Sequence, residues 1–538
     1  MQKRIKIVMV SIVLIILLIG IIVIKNNSNS KYSFTQEEIK YALTLDGEKI
    51  TSFPSKGIYK VQVTCVGADG RWLYDEWKLA IENITGDVSC DINFSTINKT
   101  GLNDYIIGLS GTTQGEGKVI NERVNIPDYS KTTAISQSAY TNQSTFSSST
   151  LGDTSGTTVS GMYIFSNNQW TTSTSSMKSG TYYNFKFTTS ESGYYQLCYN
   201  LSSGSPSNGL YVLVNQTPKY MDFDFSLNAD PLANKSGCIE LGYVSTSDDI
   251  TVVQYAVKSG AYNISNLSFN MKKVTSVQRN VNAGIRYEGK NPNNYIWFNN
   301  EYWRIIGAFD SASHGQSGKN LVKIIRDDIL GDLVWEKSNI NDWSLASLKS
   351  LLNHAYYNAQ DGTNSGYCYG YDLVTTNCDY TKKGIQSGYR EMIANVTWYL
   401  GGSPNPEVTS EAFYGYERGT EVYSGNSSST TGYIGLMYPS DFGFSVLSSS
   451  CARTTNLGSY SSAKCAGQSW LYGKGSNWML TPCSLDSSFV SILKSRGHIL
   501  YYSGLESGQV VRPVLYLDAS VYKIDGDGSL KKPYIIGM

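Results

Sequence analysis

The chain has 538 residues, with 44 Lys and Arg balanced by 44 Asp and Glu, 41 Tyr, 50 Gly and nine Cys, and charged residues make up only 16% of it. Zero net charge without a block of five or six basic residues removes the electrostatic footprint of a nucleic-acid binder, so no nucleic-acid partner is expected. The length calls for three or four domains, and a charge-poor, Tyr- and Gly-rich balance is that of β-rich proteins whose aromatic surfaces bind more often than they catalyse.

Ile7 to Ile24 carries no formal charge, follows Lys3, Arg4 and Lys6, and is closed by Lys25. As a helix it would rise ~27 Å, close to the ~30 Å hydrocarbon core of a bilayer. The excess of basic residues before it leaves Met1 in the cytosol and the bulk of the chain outside. No small-residue cleavage site follows, and no cysteine lies near to take a lipid. Residues 1–30 are therefore read as a cytosolic tip, a retained single-pass transmembrane anchor and a spacer, with the membrane as partner of residues 7–24. The expected address is the cell membrane, with the C-terminal bulk extracellular.

Eight cysteines fall in local pairs: Cys65 with Cys90, Cys198 with Cys238, Cys368 with Cys378, and Cys451 with Cys465. In an exported chain each pair reads as one disulfide per segment. The alternative is that all nine remain reduced thiols. Zinc is disfavoured, because metal-knuckle spacings are absent and only three histidines could assist. Cys483 stands alone and reads as a small buried hydrophobe.

Residues 31–125 read as an immunoglobulin-like β domain with a connector. Tyr59, Val61, Val63 and Cys65 alternate with polar neighbours, and a second run leads through Gly86-Asp87 into Val88–Phe94, the period-two pattern of half-buried strands. Trp72 and Trp77 are expected in this core, and 101–125 as a mixed connector. Residues 126–275 begin with a Ser/Thr-rich stretch to about 160, read as a linker or an irregular first strand. Seven short strand signals follow, from Met162–Phe165 to Ile264–Met271, and imply a second, jelly-roll-like β-sandwich.

Residues 276–538 hold seven of the ten tryptophans. In YIWFNNEYWRIIG, residues 295–307, Asn299-Asn300 separates two aromatic runs as a tight hairpin turn would. Two helices are expected next. One follows Asn341-Asp342 as its cap, with Leu345, Leu348, Leu351 and Leu352 on one face; the other covers Ile385 to Trp398. Short strands close the chain. The expected fold class is thus mainly β and multidomain, with an N-terminal transmembrane helix, two β-sandwich domains and a C-terminal α+β domain.

The last domain, on Trp297, Trp303, Arg304, Trp343, Tyr438, Pro439, Ser440, Asp441, Trp470, Trp478, Leu480, Pro482, Arg512 and Pro513, resembles a group of bacterial surface domains. These are related to the C-type-lectin-like and formylglycine-generating-enzyme folds. That resemblance implies a lectin-like α+β fold and leaves function open, since such folds host lectins, receptor-binding tips and a few enzymes. The enzymes of this kind bind copper through a cysteine pair, which a lone Cys483 does not supply. Asp441 and Glu417 are candidate partners for a buried Arg512 by the same resemblance.

No HExxH or GxSxG motif is present, and Glu417-Arg418 reads as a structural ion pair. Asp525, Asp527 and Ser529 read as a β-turn rather than a calcium loop, because Ile536 stands where a bidentate acid is needed. No catalytic residue, metal or cofactor is expected. The aromatic loops bearing Trp470, Tyr472, Trp478, Tyr501 and Tyr502 are the candidate ligand-binding positions. The function expected is a membrane-anchored bacterial cell-surface protein displaying a lectin-like head for adhesion or binding of a glycan or protein. The alternatives are a structural envelope protein without a discrete ligand and an extracellular polysaccharide-acting enzyme.

Overall fold

The computed structural model describes residues 22–24, 39–57, 59–74, 76–97, 99–148, 157–158, 163–166, 169–172, 177–178, 182–201, 208–221, 236–256, 261–262, 267–404, 406, 408–502 and 504–538. Among the described residues the chain is mainly β, with few and short helices. Among the described residues no helix is long and apolar enough to cross a membrane. The expected anchor, Ile7 to Ile24, lies outside the described residues except for its last three, Ile22–Ile24, which pair parallel to Leu79–Ile81.

The first domain has two small sheets. One runs Glu48–Ile50, Ile39–Leu45, Val88–Thr96, Tyr59–Val66; the other runs Ile22–Ile24, Lys78–Glu82, Asp69–Leu73. Inward residues of both, Leu43, Val61 and Phe94 on one side and Trp72, Leu79 and Ile81 on the other, share one core. Trp72 packs edge-on against Trp77 and Phe94 at 5.2 and 5.1 Å. Cys65 and Cys90 are bonded, but they sit directly opposite each other on neighbouring strands of one sheet. The staple therefore lies within a sheet rather than between sheets, as an immunoglobulin core would have it.

The connector expected at 101–125 is instead part of the last domain. Leu102–Gly108 forms a helix whose Leu102 and Ile106 enter the large C-terminal core together with Val119. Strand Glu116–Pro127 then pairs antiparallel with Val277–Asn291 along its whole length, from Glu116 opposite Asn291 to Pro127 opposite Val277. Glycine is required where this ladder bulges. Gly289 has φ +115°, and a Cβ there would lie 2.5 Å from the Glu116 carbonyl oxygen.

The second domain is thus inserted into the third. Its stem continues the ladder, with Asp128 N–H donating to Ser276 O (2.9 Å) and Thr275 N–H to Lys131 O (2.8 Å). Beyond the stem lie two six-stranded sheets. One is centred on Leu267–Val274 and Gly193–Leu201, the other on Tyr182–Thr189 and Ile250–Ala256. Phe185, Val212 and Val252 of one face Leu197, Leu241 and Met271 of the other across a shared core, the arrangement of a β-sandwich. Of the two readings of the Ser/Thr-rich stretch, the strand holds for Tyr140–Ser148, which pairs with Tyr182–Thr189. Cys198 and Cys238, again directly opposite in register, are bonded.

The third domain is built on an eight-stranded sheet. Its order is Ile434–Gly435, Val514–Leu517, Leu321–Arg326, Glu301–Phe309, Val277–Asn291, Glu116–Pro127, Thr113–Gln114, with Tyr295–Phe298 paired to Glu301–Phe309. The hairpin turn is the expected one. Asn299 and Asn300 have φ of 56° and 60°, the left-handed pair that a type I′ turn requires. A five-stranded sheet around Asn477–Pro482 packs into the same core, which holds Trp303, Trp335, Trp343, Trp398 and Trp478. The ends of the domain are tied together by Tyr522–Asp525 pairing with both Thr100–Gly101 and Ile535–Gly537.

Both helix expectations need correction. The first helix starts at Ser347, not after Asn341-Asp342, and runs through Ser350 into a wider turn at Leu351–Tyr356. Leu348, Leu351 and Leu352 are buried, but Leu345 precedes the helix and is 76% exposed. Asn341 is drawn away by tertiary contacts: its side-chain amide faces the carbonyls of Cys483, Asp486 and Phe489 at 2.7–3.0 Å. Of the second helix only Ser387–Arg390 is helical, and Val396–Tyr399 is a strand. The Val-Thr-Trp-Tyr run has the β-branched and aromatic preference of a strand, and that outweighs the helical spacing upstream.

Candidate functional site

The five aromatic residues singled out in sequence do not converge. Trp470 and Trp478 are interior, at 5% and 1% exposure, and their indole N–H groups donate to Tyr287 O (3.0 Å) and Leu333 O (2.8 Å). Rings closed on both faces cannot stack on a ligand, so these two are core residues. The Tyr472 hydroxyl donates to Ser495 O at 3.0 Å, the Tyr501 hydroxyl donates to Ser403 O, and Tyr502 packs on Trp478 at 5.8 Å. None of the five lines either of the two clefts described below.

The resemblance residues Asp441 and Ser440 do converge, in the interior. Helix Pro439–Ser445 places Asp441 at its third position, where its carboxylate accepts from Tyr438 N–H at 3.0 Å. Its other contacts are Arg286 Nη1 at 2.8 Å and Lys323 Nζ at 2.5 Å, every side chain in this cluster at most 2% exposed. Burial alone would raise the Asp441 carboxyl, but Lys323 and Arg286 outweigh it and hold it at about 2. Burial pulls the Lys323 ammonium down to about 8. Glu417, at the end of helix Ser410–Glu417, accepts from Ser440 N–H (2.9 Å), Ser440 Oγ–H (2.5 Å) and Arg418 Nη1 (2.9 Å). Burial nonetheless pushes its carboxyl up to about 7. Arg418 lies 3.5 Å from the centre of the Tyr414 ring. Closed off in this way, the cluster cross-braces two helices against the sheet and offers no place for a substrate.

Arg512 is buried but is not paired with Asp441 or Glu417. Its Nε donates to Arg326 O at 3.0 Å and its Nη1 to Leu471 O at 3.4 Å. Cys368–Cys378 and Cys451–Cys465 are bonded, and Cys483 is a single buried thiol whose pKa burial pushes up. Among the described residues no three His, Cys, Asp or Glu come close enough to hold a metal. Asp527 Oδ1 accepts from Ser529 N–H at 3.0 Å, an Asx turn in the Asp-Gly-Asp-Gly segment.

The aromatic surface that is open lies elsewhere. A cleft of about 520 Å³ separates the first domain from the third, within the size range of small-molecule sites. The first domain contributes Arg71, Trp72, Tyr74 and Glu76; the third contributes Trp297, Asn300, Tyr302 and Tyr389 from the hairpin and its support, and Asp525, Lys531 and Lys532 from the C-terminal turn. The strand alternation explains how the hairpin serves both sides. In Tyr295–Phe298 the residues read half-buried, buried, half-buried, buried, so Ile296 and Phe298 enter the core while Tyr295 and Trp297 face outward. Across the turn, Trp303 is buried and Tyr302 is 37% exposed. Trp297 and Tyr302 then meet edge to face at 5.1 Å, and the Tyr389 hydroxyl donates to Asn300 Oδ1 at 3.4 Å. On the opposite wall the Tyr74 hydroxyl is fixed by Val61 N–H at 2.8 Å, and burial raises its pKa. Lys60 Nζ and Asp525 Oδ1, 3.7 Å apart, bridge the domains beside the cleft. Sequence reasoning used Trp297 as a mark of the fold and passed over Tyr302. The signal that would have found both was the period-two alternation through the hairpin.

No protein-family model matches the chain, and no curated protein does. Among solved structures, the secreted serine protease VesC from Vibrio cholerae aligns with 38% of this chain and 32% of its own length at 11% identity, with a TM-score of 0.16, far below that of a shared fold.

Proposed function

We propose that this is a surface-displayed binding protein, held to the membrane through its N-terminal apolar segment, whose C-terminal head of C-type-lectin-like kind binds a saccharide in the cleft between the first and third domains. One observation carries the reading: Trp297 and Tyr302 present a fixed aromatic corner to a cleft also lined by Arg71, Glu76, Asn300 and Lys532. Aromatic faces cover the apolar faces of a sugar ring at low entropic cost, and a charged and amide lining satisfies its hydroxyls. Four disulfides support an oxidising, extracytoplasmic setting.

The test is a broad glycan array probed with the purified full chain, followed by titration of each hit against Tyr302→Ala and Trp297→Ala. The expected outcome is reproducible binding that Tyr302→Ala weakens at least tenfold with no change in melting temperature. Silence across the array would favour a purely structural envelope role. Hydrolysis of an arrayed polysaccharide, abolished by replacing a single Asp or Glu, would make the protein an enzyme instead.

A further inference from the structure

A second cleft, about 690 Å³ in volume, lies between the inserted sandwich and the head. Its walls are the stem at Asp128–Lys131, strand Ser236–Val244 and helix Ser410–Glu417 with the turn after it. Two smaller cavities, of about 470 and 30 Å³, also have Glu240 in their walls. Its charge is one-sided. Asp128, Glu240, Glu411 and Glu421 line it, and the one lining cation among the described residues, Lys131, already lies 3.2 Å from Asp128 Oδ2.

An acidic lining by itself is a solvated surface. Two sealed oxygens make this one different. Among the described residues Glu240 Oε2 is shut off from solvent without a hydrogen-bond partner, and the same holds for the Tyr416 hydroxyl in the same wall. Buried polar atoms in folded proteins are nearly always satisfied, because leaving them bare is costly. The neighbouring charges do not fill the need. Glu411 accepts from the Asn125 N–H and repels a second carboxylate, while Lys219, beside Glu240 in the smallest cavity, has Asp248 as its electrostatic partner.

We infer that this cleft binds a primary ammonium group on a slender chain, with Glu240 Oε2 and the Tyr416 hydroxyl oxygen as its acceptors and Glu411 and Glu421 supplying the surrounding negative field. An ammonium has three N–H donors and no acceptor, which matches two bare oxygens in an anionic cleft. The same chemistry comes from a polyamine or from a lysine side chain of a peptide. The site has a signature that a generic acidic surface lacks. Burial pushes the Glu240 carboxyl up to about 8, so at pH 7 it holds its proton. A bound ammonium favours the carboxylate, and that proton passes to the buffer: one O–H bond breaks at Glu240, and an N–H···O contact replaces it.

The experiment is calorimetric titration of the full chain at pH 7 with spermidine and, separately, with the peptide acetyl-Gly-Lys-Gly-amide, each in phosphate and in Tris. The expected result is binding of at least one probe, with a heat that differs between buffers by the release of close to one proton. Glu240→Gln should weaken it at least tenfold and abolish the buffer difference, and Tyr416→Phe should weaken it several-fold. Preference for spermidine or for the peptide identifies the source of the ammonium. Absence of binding by both probes at millimolar concentration would overturn the inference, as would equal binding of choline, which has no N–H, or unchanged affinity in both variants. Glu240→Gln keeps the side-chain shape, and Tyr416→Phe carries the test should that variant fail to fold. The two clefts share no lining residue, so this result and the glycan result stand or fall separately.

Discussion

Asp441 gives one oxygen to Arg286 and the other to Lys323 in an interior where none of the three side chains is more than 2% exposed. Removing ions from water is costly, and their mutual attraction repays that only while the set is complete. Arg286 is held further by its Nε donating to Ala283 O at 2.7 Å and by the Phe309 and Phe444 rings at 4.6 and 5.0 Å. Asp441→Asn keeps the shape and removes the charge, leaving two buried cations without a counter-ion. The expected loss is roughly 3–5 kcal/mol in a urea denaturation series. A triple replacement by apolar residues, Arg286→Met with Lys323→Met and Asp441→Leu, should recover most of it; failure to recover would mean that the pairings themselves, rather than charge balance, hold the core. Sequence reading nominated Asp441 as a buried partner but gave it to Arg512. It had no means to choose, because the real partners lie 155 and 118 residues away and only the sheet brings them together.

Local periodicity located some of the strands and located helices poorly. Alternation placed Tyr59–Val66 and the strands of the sandwich within a few residues, since burying one face of a sheet writes itself into every second position. It left Tyr140–Ser148 between a linker and an irregular first strand, because a ladder is made by the backbone and a Thr- and Ser-rich strand carries little apolar signal. It missed helix Ser410–Glu417, whose legible sign was Thr409 at the cap, accepting from Ala412 N–H at 3.2 Å. The cysteine pairs could be read because each joins nearby elements. Cys65–Cys90 closes a separation of 25 residues, and in the chain-entropy model such a closure contributes ~3–4 kcal/mol. The core of the first domain is separate from that of the third. Replacing both cysteines by serine should therefore lower one calorimetric transition and leave that of the head in place. A single transition shifted as a whole would show instead that the two domains unfold together.

At the scale of the whole molecule the three blocks are not three beads on a string. The third domain begins near residue 99, gives up its chain at Pro127, and takes it back at Val277, where the two residues stand opposite in register. Periodicity is a local signal and is silent on which distant strand completes a sheet, so 101–125 read as a connector. The arrangement makes a sharp prediction for two engineered chains. Deleting residues 128–276 and joining Pro127 to Val277 through Asn-Gly asks only for a two-residue hairpin turn on an existing ladder, and the head should keep its melting transition and its resistance to limited proteolysis. A fragment that starts at residue 276 keeps every residue that sequence periodicity assigns to the head but loses Leu102, Ile106 and Val119 from its core and exposes the long edge of Val277–Asn291. Each lost side chain removes roughly 1.5–3 kcal/mol of burial from a fold whose net stability is of order 5–15 kcal/mol, and the bared strand invites pairing with another chain. That fragment should be insoluble or lack a cooperative transition. If instead it melts cooperatively as a monomer, the strand Glu116–Pro127 is an attachment to the head and not one of its parts.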